Sequence, residues 1–190
     1  MSIALHSPLS ADSHEAGPRE LVTGDLVISD LSLSARRGVR GSGAADYLQE
    51  QGFLVPDTPN RLCDSGSGHW VMALSQREFW LLCPRQSAQA SFPGGAALAP
   101  NAWPLYCQHS HAWLVLSGQP MAKCMAKLCG VDLCPTTLPV GHVAQTQVAR
   151  VGAIVAHHPW HSASALSLFV DQSYAAYLWE VLADAMEEYR

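Results

Sequence analysis

The chain has 190 residues, with 11 basic and 16 acidic side chains and a formal net charge of −5. Only 14% of its residues are charged, against about 25% in an ordinary globular domain. No stretch approaches the roughly 18 apolar residues of a membrane span, an acidic chain lacks the footprint of a general nucleic-acid binder, and 48% hydrophobic residues argue against global disorder.

Residues 1–24 read as a tail of Ser, Ala, Pro and His, flexible or ordered by a partner, and 25–190 as a single α+β domain. Leu26-Val27-Ile28 and Leu31-Ser32-Leu33 are short apolar runs of strand or loop type. Arg36 to Arg40 reads as a strand closed by Gly41-Ser42-Gly43. Ser42 is a candidate N-cap for a small helix through Ala44, Ala45, Tyr47 and Leu48 that ends near Gly52. Trp70–Leu74 and Phe79–Cys83 form a hairpin with Ser75–Glu78 as a four-residue connection. Gln86–Pro104 is a long loop or a weak helix.

Trp113–Leu116 is the next strand, ended by Ser117-Gly118. Pro120 opens a helix with Met121, Cys124, Met125 and Leu128 on one face, Lys123 and Lys127 on the other, and Gly130 as its stop. Gln145–Val155 looks like one longer strand and Leu166–Val170 like another. Asp171 or Ser173 caps a final helix whose stripe is Tyr174, Tyr177, Leu178, Val181, Leu182, Ala185 and Met186. Two segments, Val39–Ala45 and Leu116–Ala122, share the order strand, glycine, short helix. The expected fold is therefore α+β: internally duplicated strand-helix-strand units forming antiparallel sheet with packed helices.

The charge is unevenly spread. Gln86–Ala122 is 37 residues without Asp, Glu, Lys or Arg, and Val151–Val170 is 20 more. Interface cores are depleted in charge and rich in aromatics, so Trp103, Tyr106 and Trp160 are the candidate subunit-interface residues. The six cysteines are expected to be reduced and to act as small core hydrophobes, because no leader is visible before Arg19. Cys124, Cys129 and Cys134 recur every five residues, which is not zinc-knuckle spacing.

No chemistry assembles readily. Gly41-Ser42-Gly43 lacks the third glycine of a dinucleotide loop, and Asp46 stands at that position. His157-His158-Pro159-Trp160-His161 reads as a solvated loop cluster, with a metal site as its rival. His109 and His111 flank Ser110 with no third orienting group nearby in sequence. No catalytic, cofactor-binding or metal-ligating residue is assigned.

Asp30-Leu31-Ser32, Arg36–Ala44, Arg77–Leu82, Leu116-Ser117-Gly118 with Ala122, Cys129–Leu133, Pro139-Val140-Gly141 with Gln145-Thr146, and Phe169–Trp179 occur in an order that resembles the gamma subunit of heterotetrameric sarcosine oxidase, over about residues 26–188. The family pattern often has an acid ahead of Ser-His; Gln108-His109-Ser110-His111 has none, so no acid–base role carries over there. The resemblance implies a fold related to the folate-binding part of aminomethyltransferases. It also implies alpha, beta and delta partner subunits, and a bacterial, cytoplasmic complex that converts sarcosine to glycine. The methyl carbon would leave as formaldehyde or pass to tetrahydrofolate, and electrons would reach oxygen through flavin. FAD, FMN, NAD, tetrahydrofolate and zinc are implied in the partner subunits, with no cofactor on this chain. The alternatives are a stand-alone folate-binding or aminomethyltransferase-like domain and a metal-binding module using His157, His158 and His161.

Overall fold

The computed structural model describes residues 6–10, 19–84, 92 and 100–190. In chain order the strands are β1 (Glu20–Thr23), β2 (Leu26–Asp30), β3 (Arg36–Arg40), β4 (Arg61–Asp64), β5 (Trp70–Ser75), β6 (Glu78–Leu82), β7 (Trp103–Leu105), β8 (His111–Ser117), β9 (Val143–Val148), β10 (Val151–Trp160) and β11 (Ala163–Asp171). The helices are α1 (Ala44–Glu50), α2 (Cys107–Ser110), α3 (Met121–Ala126) and α4 (Ala175–Met186). None of the described helices is long and apolar enough to cross a membrane. The chain divides into two compact units. Unit 1 is the chain up to Leu33 together with Ser110–Arg190, and unit 2 is Ser34–His109. The architecture is α+β with two antiparallel sheets, one per unit.

Unit 1 carries a six-stranded sheet in the order β1-β2-β8-β11-β10-β9. Its strands alternate with period two. Leu26, Ile28, Leu114, Leu116, Val155, Leu166, Leu168 and Val170 join α3 and α4 in one core, through Met121, Cys124 and Met125 on α3 and Leu178, Leu182 and Met186 on α4. On the opposite face Trp113, Val115 and Phe169 are equally buried, so β8 and β11 read as unbroken apolar runs. Each buried Leu or Met contributes roughly 1.5–3 kcal/mol; a 12-residue helix such as α4 needs that packing, because alone it would be marginal in water. Its buried stripe is Ala175, Leu178, Trp179, Leu182, Ala185 and Met186. Tyr174 and Tyr177, expected in that stripe, are exposed, because α4 is rotated to bury Trp179 against the sheet. Asp171 caps the 3-10 turn Gln172–Tyr174 that leads into α4, accepting from the Ser173 N–H.

The expected single strand Gln145–Val155 is two, β9 and β10, joined by Ala149-Arg150. Both turn residues have positive φ, 50° and 69°, as a two-residue primed hairpin turn requires. No Asn-Gly or Asp-Gly announces it. Tertiary bonds hold it instead: Ala149 N–H donates to Leu128 O at 2.8 Å, and Tyr177 Oη donates to Ala149 O at 2.9 Å. The exposure of Tyr177 and this turn are one arrangement. β1 lies within the span read as a tail, and Leu9 joins the unit 1 core.

Unit 2 carries a five-stranded sheet in the order β4-β5-β6-β3-β7. Val39, Val71, Ala73, Phe79 and Leu81 pack with Ala44, Tyr47 and Leu48 of α1. The hairpin β5–β6 turns through Gln76-Arg77 with a bulge near Ala73 and Ser75, so the connection is two residues rather than four. Ser42 does not cap α1. Gly43 is the N-cap, and its N–H donates to Asn101 O. Most of the expected loop Gln86–Pro104 lies outside the described residues, but its end, Trp103–Leu105, is β7 and pairs with β3.

Candidate functional site

The histidine cluster is not a solvated loop. His157 and His158 lie in β10 and are 1% and 0% exposed. Adjacent strand residues point to opposite faces, so the two imidazoles diverge. His157 Nδ1 sits 2.7 Å from Leu138 O. A carbonyl only accepts, so Nδ1 carries the hydrogen, and Nε2 accepts from Ser164 Oγ at 2.9 Å. His158 Nδ1 likewise donates to Pro159 O (2.9 Å), Nε2 accepts from Ser167 Oγ (2.7 Å), and Ser167 Oγ accepts from Trp113 Nε1 (2.8 Å). Burial pushes His158 down to about 4, so it is a neutral relay. Pro159 fits near the end of β10 because the β9 ladder stops at Ala156, leaving that stretch of the strand paired with β11 alone. His161 follows the strand end with φ 49° and packs against Trp160. Among the described residues no three His, Cys, Asp or Glu groups converge to hold a metal.

Ser110 Oγ and His111 Nδ1 are 2.8 Å apart. The structure adds a neighbour the sequence hid: Asp171 is the ladder partner of His111 across β8 and β11. Asp171 Oδ1 already accepts from the Ser173 N–H and hydroxyl at 2.9 and 2.6 Å, which holds its carboxyl below the usual range. Ser110 and Asp171 are solvent-exposed.

Sequence reasoning also missed a buried acid. Asp30 is 3% exposed; it accepts from the Ser32 N–H at 2.8 Å and from the Ser7 hydroxyl. Ser32 Oγ in turn accepts from the Trp113 N–H. The Asp-x-Ser pattern at Asp30-Leu31-Ser32 was the available signal, since Asp side chains bond their own backbone two residues on.

Unit 2 holds a cleft of about 400 Å³, lined by Arg36, Arg37, Leu105, Tyr106, Gln108 and His109 among others. Arg36 is 3% exposed and fastens α2: Nε donates to Cys107 O (3.2 Å) and Nη2 to Gln108 O (3.3 Å), while its own N–H donates to Gln108 Oε1 (2.8 Å). Beside it the Cys107 thiol is pushed up to about 12, mainly by burial, so it is unreactive. Of the expected interface residues, Tyr106 and Trp103 are 75% and 58% exposed in unit 2. Trp160 belongs to unit 1, is half-buried, and packs against His158 and His161. All six cysteines are free thiols.

No family model matches the sequence, and no curated protein matches it. Among solved structures the chain resembles a chain of heterotetrameric sarcosine oxidase from Corynebacterium sp. U-96 in complex with pyrrole 2-carboxylate, with TM-score 0.69 and 18% identity over 90% of this chain and 88% of that one. It also resembles glycine cleavage system aminomethyltransferase T from Bartonella henselae, with TM-score 0.58 and 17% identity over 80% of this chain. It spans only 44% of that second protein. At these identities the likeness shows a shared fold: this α+β architecture is that of the aminomethyltransferase-type structures.

Proposed function

We propose that the chain is a noncatalytic subunit, of gamma type, in a heterotetrameric sarcosine-oxidase-type complex of the bacterial cytoplasm. One observation carries this reading: the fold matches a chain of such an oxidase over nearly the whole of both chains, 90% and 88%, but covers only 44% of aminomethyltransferase T. The chemistry of its residues agrees. His157, His158 and Asp30 are engaged inside the fold, and the reactive-looking groups Ser110 and Asp171 lie open to solvent.

In this reading alpha, beta and delta subunits carry FAD, FMN, NAD, tetrahydrofolate and zinc. They demethylate sarcosine to glycine, with tetrahydrofolate accepting the one-carbon unit and oxygen accepting the electrons. This chain contributes a folded surface on which they assemble, with Trp103, Tyr106 and Trp160 as its interface residues. A stand-alone folate-binding domain is the rival. In that reading a carboxylate would meet the pterin, and Asp30, the buried acid among the described residues, already accepts from Ser7 and Ser32 of its own chain.

Co-expression with the reading frames that neighbour its gene tests the proposal. The chain should co-purify in a flavin-containing complex. A monodisperse monomer indifferent to those neighbours overturns it, and tetrahydrofolate binding by the isolated chain in calorimetry would favour the rival.

A further inference from the structure

We draw no further inference here: the strongest candidate, the outer face of α4 in unit 1, where Tyr177, Glu180 and Asp184 are exposed, carries nothing, because two acids beside a ring are not by themselves a site and nothing in the structure shows what covers that face.

Discussion

After β3 in unit 2 and after β8 in unit 1 the chain makes the same move: a glycine, Gly41 or Gly118, then a short helix. The sheets repeat one order around it, β4-β5-β6-β3-β7 and β9-β10-β11-β8-β2, with β1 added outside in unit 1. Gly41 and Gly118 have φ of 139° and 119°. At each, an added Cβ would fall on the carbonyl oxygen just ahead of the neighbouring strand, Asn101 O before β7 and Asp25 O before β2. The units differ in their polar residues. Unit 1 threads buried groups through its sheet, from Asp30 and Ser32 to Trp113, Ser167 and His158. Unit 2 turns Trp103, Tyr106 and His109 outward. A shared topology therefore sets the turn chemistry but not the use of the faces: unit 1 buries its polar groups, and unit 2 leaves Trp103 and Tyr106 exposed.

Alanine at the two glycines is the strongest way to break the likeness. Gly118→Ala and Gly41→Ala should each cost about 3 kcal/mol or more, because positive φ and a backbone clash act together. Denaturant midpoints should fall by similar amounts; a tolerant Gly41 would dissolve the equivalence of the units.

The pH response should follow unit 1. His158 is held at about 4 when folded, against 6.5 for the ordinary imidazole, so the unfolded chain binds the extra proton between those values. Its contribution is complete above pH 6.5 and is lost as pH falls toward 4, by about 3 kcal/mol at most. Melting temperature should drop through that window, and His158→Phe should flatten the drop.

Ser167→Ala removes the middle of the relay and leaves Trp113 Nε1 and His158 Nε2 without it, at a cost of about 2 kcal/mol. The loss should be smaller if water enters, which hydrogen exchange at β8 and β11 would report. Tyr106→Ala, in unit 2, should change stability by less than about 0.5 kcal/mol; a large loss by thermal melting would make Tyr106 structural and erase the contrast.

Much of the fold was legible. β3 was read with its observed ends, α3's buried face of Met121, Cys124 and Met125 was read from its spacing, and the duplication was read from two glycine turns. These are local signals: apolar period, a helix-opening proline, a glycine where the backbone needs one. The candidate surface was legible in part, as uncharged sequence around Trp103 and Tyr106. Arg36 and His109 were not, because their place depends on β3 meeting the turn at Cys107, about 70 residues on.

By itself, the sequence determined the α+β class, the repeated strand–glycine–helix order and the apolar faces, since these follow from backbone sterics and side-chain periodicity. Only the tertiary structure decided three things. His157 and His158 became buried strand residues because Leu138 O, Ser164 and Ser167 meet their nitrogens. Ala149-Arg150 became a turn because Leu128 and Tyr177 hold its backbone. Asp30 became a buried acid because Ser7 and Ser32 solvate it in place of water. Each outcome rests on a hydrogen-bond partner distant in sequence, and the free energy of a buried polar group is set by that partner.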